Sequence, residues 1–130
     1  MTIEEQIQYW IDGAERDLPV AEHLFEKGDY SWCLFIGHLV LEKMLKGIYV
    51  RDVQKYPLKT HDLVKLANLT TLNMNDEDLD FLSKVNDFHI EARYPEYKKE
   101  LYNKCTKEFT EENFNKIKRL HKWLKSNIQP

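Results

Sequence analysis

The stretch Ser31-Trp-Cys-Leu-Phe-Ile-Gly-His-Leu-Val-Leu-Glu-Lys-Met-Leu-Lys-Gly-Ile-Tyr-Val50 decides the fold. It is apolar nearly all round the helical period, and a helix of that kind is the buried centre of a bundle. Asp29 is expected to cap it, and the helix should run from Tyr30 to about Val50. Gly37 and Gly47 each cost about 1 kcal/mol of helix propensity relative to alanine. Close approach of another helix is the expected compensation.

Working outward, Ile3 to Glu26 reads as a helix opened by Thr2 and Glu5, a capping box, and stopped at Gly28. Ile3, Ile7, Trp10, Ile11, Ala14, Leu18, Ala21 and Phe25 trace one apolar stripe along it. Pro19 removes one backbone donor inside this pattern and should kink the helix near Glu15. On the other side, Lys55 to Thr60 is a loop broken by Pro57. Thr60 or His61 should cap a short helix through Leu69. Asn75 or Asp76 should cap another, carried by Leu79, Leu82, Val85 and Phe88 or His89. Tyr94-Pro95 ends that run, because a residue before proline is pushed out of the α region. A last helix begins at Thr110, with Phe114, Ile117, Leu120, Trp123, Leu124 and Ile128 on one face. No strand pattern or repeat is visible. The expected fold is all-α: an up-and-down antiparallel bundle of four to five helices forming a single domain over residues 1–130.

Bulk properties agree. A chain of 130 residues has room for one core; 42% of it is hydrophobic and 32% charged, with four Gly and four Pro, which favours helices. No apolar run reaches the roughly 18 residues that a membrane span needs. The acidic N-terminus lacks the layout of a signal peptide, so the expected location is cytoplasmic, without membrane contact. Cys33 and Cys105 form no metal-binding spacing and read as two reduced core thiols. Charge is uneven. Residues 1–97 hold 10 Lys/Arg against 18 Asp/Glu, a net −8, while residues 98–130 hold 9 against 4, a net +5. Such a basic section steers polyanions, or pairs with the acidic body or an acidic partner.

Three constellations carry chemistry. His38, Glu42 and Lys46 lie four apart, on one face of the greasy central helix. Charges there must be paired or must border a cleft. Phe88-His-Ile-Glu-Ala-Arg-Tyr-Pro95 sets a histidine, a glutamate and an arginine at a helix end. Arg93 suits phosphate or carboxylate, so it either holds a ligand or pins the turn to an acid such as Glu42. His89 can titrate near neutral pH, and Tyr94 offers a stacking face or a hydroxyl. His61, in Thr60-His-Asp62, is a further binding candidate beside two capping residues. The five histidines form no zinc-type spacing, so no metal and no cofactor is expected.

These residues, taken in order, resemble a known family. Tyr9-Trp10, Ala14-Glu-Arg-Asp-Leu18, Gly28-Asp-Tyr30 and Gly37-His-Leu-Val-Leu-Glu-Lys-Met-Leu-Lys46 look like the first half of a HEPN domain. His61-Asp-Leu63, Leu66 and Ala92-Arg-Tyr-Pro95 resemble the second half. The resemblance implies a helical bundle that dimerises with itself. Stand-alone members are often partnered by a minimal nucleotidyltransferase in toxin–antitoxin-like pairs. Many other members are metal-independent endoribonucleases marked by an arginine followed several residues later by a histidine. Here that order is reversed, His89 preceding Arg93; Arg16 and His23, the pair at permitted distance, are separated by Pro19 and read as a chance match. No residue is therefore assigned as catalytic, Arg93 and His89 being the candidates if one exists. Arg93 with Glu42 and Lys46 carries over as the family-like polar cluster, and the expected nucleotide- or RNA-binding set is Arg93, Tyr94, Glu42, Lys46, His38 and His61. Three functions fit: an accessory homodimer binding nucleotide or RNA beside a nucleotidyltransferase, an endoribonuclease toxin, or a structural or regulatory dimer.

Overall fold

The quoted stretch forms the axis of the molecule. The structure, a computed structural model, describes residues 1–128; the last two positions of the expected domain, 129 and 130, lie outside the described residues. Six helices follow in order: α1 (Ile3–Glu26), α2 (Tyr30–Val53), α3 (Leu63–Asn68), α4 (Asp76–Arg93), α5 (Pro95–Lys104) and α6 (Lys107–Ile128), with no strand among the described residues. The bundle has one helix more than the upper expectation.

Helix α2 touches each of the other five, which explains why it can be apolar on every side. Leu34, Val40, Leu41, Met44, Leu45, Ile48 and Val50 are fully buried along it. Its glycines sit where neighbours come close. A Cβ built on Gly37 would stand 2.9 Å from Ile117 Cδ1 on α6. At Gly47 it would stand 3.5 Å from Trp10 Cβ on α1. The helix ends at Gln54, held left-handed at φ 65°.

The capping box at Thr2 and Glu5 is present, and α1 closes on Gly28 at φ 83°, a conformation that favours glycine. The helix continues through Pro19. Four expectations about helix ends need correction. Asp29 occupies the N-cap of α2, but its side chain accepts no capping bond. Of the two capping residues flanking His61, Asp62 caps the short helix and Thr60, placed first, does not, nor does His61: the Asp62 carboxylate accepts from Val64 N at 3.1 Å and Lys65 N at 3.2 Å. Pro95 does stop α4, yet it also starts α5, at a first-turn position where a missing N–H costs nothing. Helix α6 begins three residues early, because Thr106 Oγ1 accepts from Phe109 N.

The basic C-terminal section pairs with the acidic body. Arg119 meets Asp78 at 3.0 Å, and Glu15 receives both His121 at 2.9 Å and Lys125 at 3.4 Å. Cys33 and Cys105 are buried free thiols, both with proton affinity raised by burial.

Candidate functional site

Two helices and the start of a third bring the polar groups together. The i,i+4 spacing stacks His38, Glu42 and Lys46 along one face of α2, His61 arrives from the loop ahead of α3, and His89 projects from α4. The loop is held by Asn86, whose carbonyl accepts from Leu63 N at 3.0 Å while its amide donates to Asp62 at 3.0 Å.

Three imidazoles pack against one another. The His89 ring stacks on His38 with centroids 4.4 Å apart and on Phe35 at 5.2 Å, and it meets His61 at 4.6 Å. His38 is fully buried and His89 nearly so, whereas more than half of the His61 side chain is exposed. His38 Nε2 donates to the His61 carbonyl at 2.8 Å, tying the loop to α2. Its Nδ1 has no hydrogen-bond partner and lies 3.8 Å from Glu42 Oε1.

Glu42 is the hub of the cluster. One carboxylate oxygen accepts from His61 Nδ1 at 2.8 Å and the other from Lys46 Nζ at 3.0 Å. The Lys46 ammonium also lies 5.2 Å from the centroid of the Trp10 ring. Burial pushes the Glu42 carboxyl up, but the bonds from His61 and Lys46 outweigh it and hold the group below its usual range. The pair is therefore ionic and satisfied inside the protein.

Burial acts the other way on the two inner histidines. It pushes His38 below its usual value, opposed by the Glu42 carboxylate. It pushes His89 down to about 4, helped by the neighbouring His38, His61 and Arg93. Burial among the neighbouring rings thus moves the titration of His89 from the expected neutral range down to about 4.

Arg93 and Tyr94 end α4 on the surface, both exposed. Arg93 stands one turn beyond His89 and makes no ion pair among the described residues. It does not pin its turn to Glu42, whose two oxygens are already taken by His61 and Lys46. Of the six expected binding residues, the structure joins His38, Glu42, Lys46 and His61 by direct contact and leaves Arg93 and Tyr94 beside the cluster, facing water. Sequence reasoning missed Phe35 and Asn86. Phe35 looked like one more apolar residue, and Asn86 carried no signal that separates it from a surface amide. No three His, Cys, Asp or Glu side chains among the described residues form a metal-binding group. Concavities of about 480, 460 and 290 Å³ lie elsewhere on the surface, and no residue of the cluster lines them.

Comparison with known proteins bears on this geometry. The family profile described as HEPN domain matches residues 7–127. Among solved structures, the chain is similar to TT1696 from Thermus thermophilus, with a TM-score of 0.79 and 17% identity over 93% of this chain and 97% of that one. It is also similar to ST0689, an archaeal HEPN homologue, with a TM-score of 0.72 and 25% identity over 99% of both chains. No protein of curated function matches the chain.

Proposed function

The chain belongs to the HEPN domain family, and on that premise we propose that it is an accessory HEPN protein, a homodimer that works with a minimal nucleotidyltransferase in a toxin–antitoxin-like pair and binds nucleotide or RNA. The observation that carries this reading is the division of labour around Glu42. Its carboxylate is consumed internally by His61 and Lys46, while the Arg93 guanidinium, the Tyr94 ring and the outer edge of His61 are left facing water. A guanidinium without a carboxylate partner is suited to a phosphate, and an exposed phenol ring to a base. The site opens on a surface rather than into a cavity, as a face completed by a second protomer does.

A ribonuclease centred on Arg93 and His89 is the weaker reading. A histidine sandwiched between Phe35 and His38, with its pKa held down at about 4, is a poor and inaccessible base at neutral pH.

Light scattering should return twice the 15.7 kDa protomer mass. A nucleotide held at a hundred times its dissociation constant should stabilise the fold by about 2.7 kcal/mol, read as a rise in melting temperature. Arg93→Ala should abolish that rise and leave the ligand-free stability within about 0.5 kcal/mol of the parent, as for an exposed unpaired side chain. Coexpression with a minimal nucleotidyltransferase should yield a copurifying complex. A chain that shows no nucleotide-dependent shift and no such complex has a structural role instead.

A further inference from the structure

A second feature lies beside this face. Two concavities, of about 460 and 290 Å³, share Ser31, Trp32 and Tyr102 where the start of α2 meets α5. Both rings are open to solvent, Trp32 at 47% and Tyr102 at 75% of their surface. Trp32 touches another ring edge-on, at Phe35, and Tyr102 stands in no aromatic pair among the described residues, so each keeps a free face. The smaller concavity is walled by Lys98 and Lys99, neither in an ion pair among the described residues. Lys104 on the same helix differs, being held by Glu91 at 3.3 Å. The larger one offers Asp29, Asn103 and Thr106 instead.

No residue of the cluster lines the groove, but side-chain packing connects the two. Trp32 packs on Phe35, Phe35 stacks on His89, and Ala92, the residue before Arg93, lines the smaller concavity. Two exposed rings beside a pair of unpaired cations on one surface suit a single strand of nucleic acid, stacking bases and neutralising phosphates. A fully apolar partner would leave Lys98 and Lys99 facing it unsatisfied. An acidic protein would gain little from two exposed ring faces.

We propose that the Trp32–Tyr102 groove is a base-stacking subsite for single-stranded RNA, with Lys98 and Lys99 holding its phosphates. Asp29 repels a phosphate, so the sugar–phosphate backbone runs along the lysine side. The polar edge of a base faces Asn103 and Thr106. The proposal rests on the reading that the ligand is nucleotide or RNA, and it adds residues that the Arg93 cluster does not contain.

The test is fluorescence anisotropy with a short labelled oligoadenylate RNA, with adenosine monophosphate and inorganic phosphate as competitors. Trp32→Ala and Tyr102→Ala should each weaken RNA binding roughly 5- to 150-fold, the range set by loss of one stacked base. Replacing Lys98 and Lys99 together by alanine should flatten the salt dependence, lowering the log–log slope by about 1.4 for two lost phosphate contacts. All four side chains are at the surface, so melting temperatures should hold and a folding defect is recognisable. RNA binding that survives every groove variant and is lost in Arg93→Ala overturns the groove and leaves the parent reading intact. Stabilisation by adenosine monophosphate, read as a rise in melting temperature, without any RNA binding overturns the strand. A parent protein that binds none of the three probes removes both proposals. If Trp32→Ala changes the molecular mass by light scattering and leaves RNA affinity unchanged, the groove belongs to a second copy of the chain and the proposal falls.

Discussion

Glu42 shows how one residue can hold a charged interior together. It answers Lys46, which is over nine-tenths buried, and anchors His61. Glu42→Ala strands the ammonium without its partner, and breaking a buried pair in this way costs about 3–5 kcal/mol. Urea denaturation should show that loss as a lower midpoint at unchanged slope; a change under about 1 kcal/mol, the scale of a surface pair, contradicts the burial argument. His89 gives the cluster an acid sensitivity. Its folded pKa of about 4 lies below the unfolded value of 6.5, so between those limits the unfolded chain binds the extra proton. Stability is then complete above pH 6.5 and lost as pH falls toward 4. His38 shifts in the same direction and adds to the loss. The Glu42 contribution goes at more acid pH, as its lowered carboxyl is protonated. His89→Phe keeps a ring on Phe35 and His38 and removes the titration. Its urea midpoint should therefore fall less between pH 6.5 and 4 than that of the parent, and an identical fall would show that His89 is not the group responsible. The four-residue spacing of Glu42 and Lys46 made their pairing legible in the sequence; the histidine stack was not, since the three histidines lie 23 and 28 residues apart and only the fold brings their rings within contact.

At the scale of elements, the two glycines of α2 are alike in propensity and unlike in surroundings. At Gly37 a methyl group would meet fully buried Ile117 at 2.9 Å, too close to be absorbed without movement. The strain of overpacking, about 1–3 kcal/mol, exceeds the propensity gain of about 1. At Gly47 the approach is 3.4 Å or more, an ordinary contact. Gly37→Ala should thus lower the melting temperature and Gly47→Ala leave it level or raise it. Equal effects at both sites would mean that helix approach does not govern them. The close approach itself was legible, since a glycine in an otherwise buried helix needs such a reason. Helix α5 was not. Among its described residues only Leu101 is buried, so no apolar stripe announced it, and Pro95 carries the same signal for a stop and a start. The cap of α3 went to Asp62 for a related reason: three adjacent polar residues could each have served, and the carboxylate alone reaches two amides.

Across the whole molecule, the charge asymmetry between the two ends of the chain turns inward as well as outward. Arg119 and Lys125 neutralise Asp78 and Glu15 on other helices, and His121 bonds Glu15 as well, a pairing which the sequence left undecided against polyanion binding. Lys98 and Lys99, at the start of the same basic section, make no such pairs among the described residues. The bundle as a whole was legible because one segment can be nothing other than a core helix; the candidate face was legible only as a set of residue types, since the contacts that join or separate them depend on the loops between helices. Because α2 lies against every other helix, no portion of the chain can detach and leave it dry. Its central amides, Leu41 to Ile48, should be released to deuterium only when the entire chain opens, while those of the thinly anchored α5 exchange in local openings of far lower free energy. Any proteolytic cut or engineered split that removes one long neighbour would therefore expose a greasy rod prone to self-association, so this chain should tolerate new termini near the α4–α5 corner and nowhere along its axis.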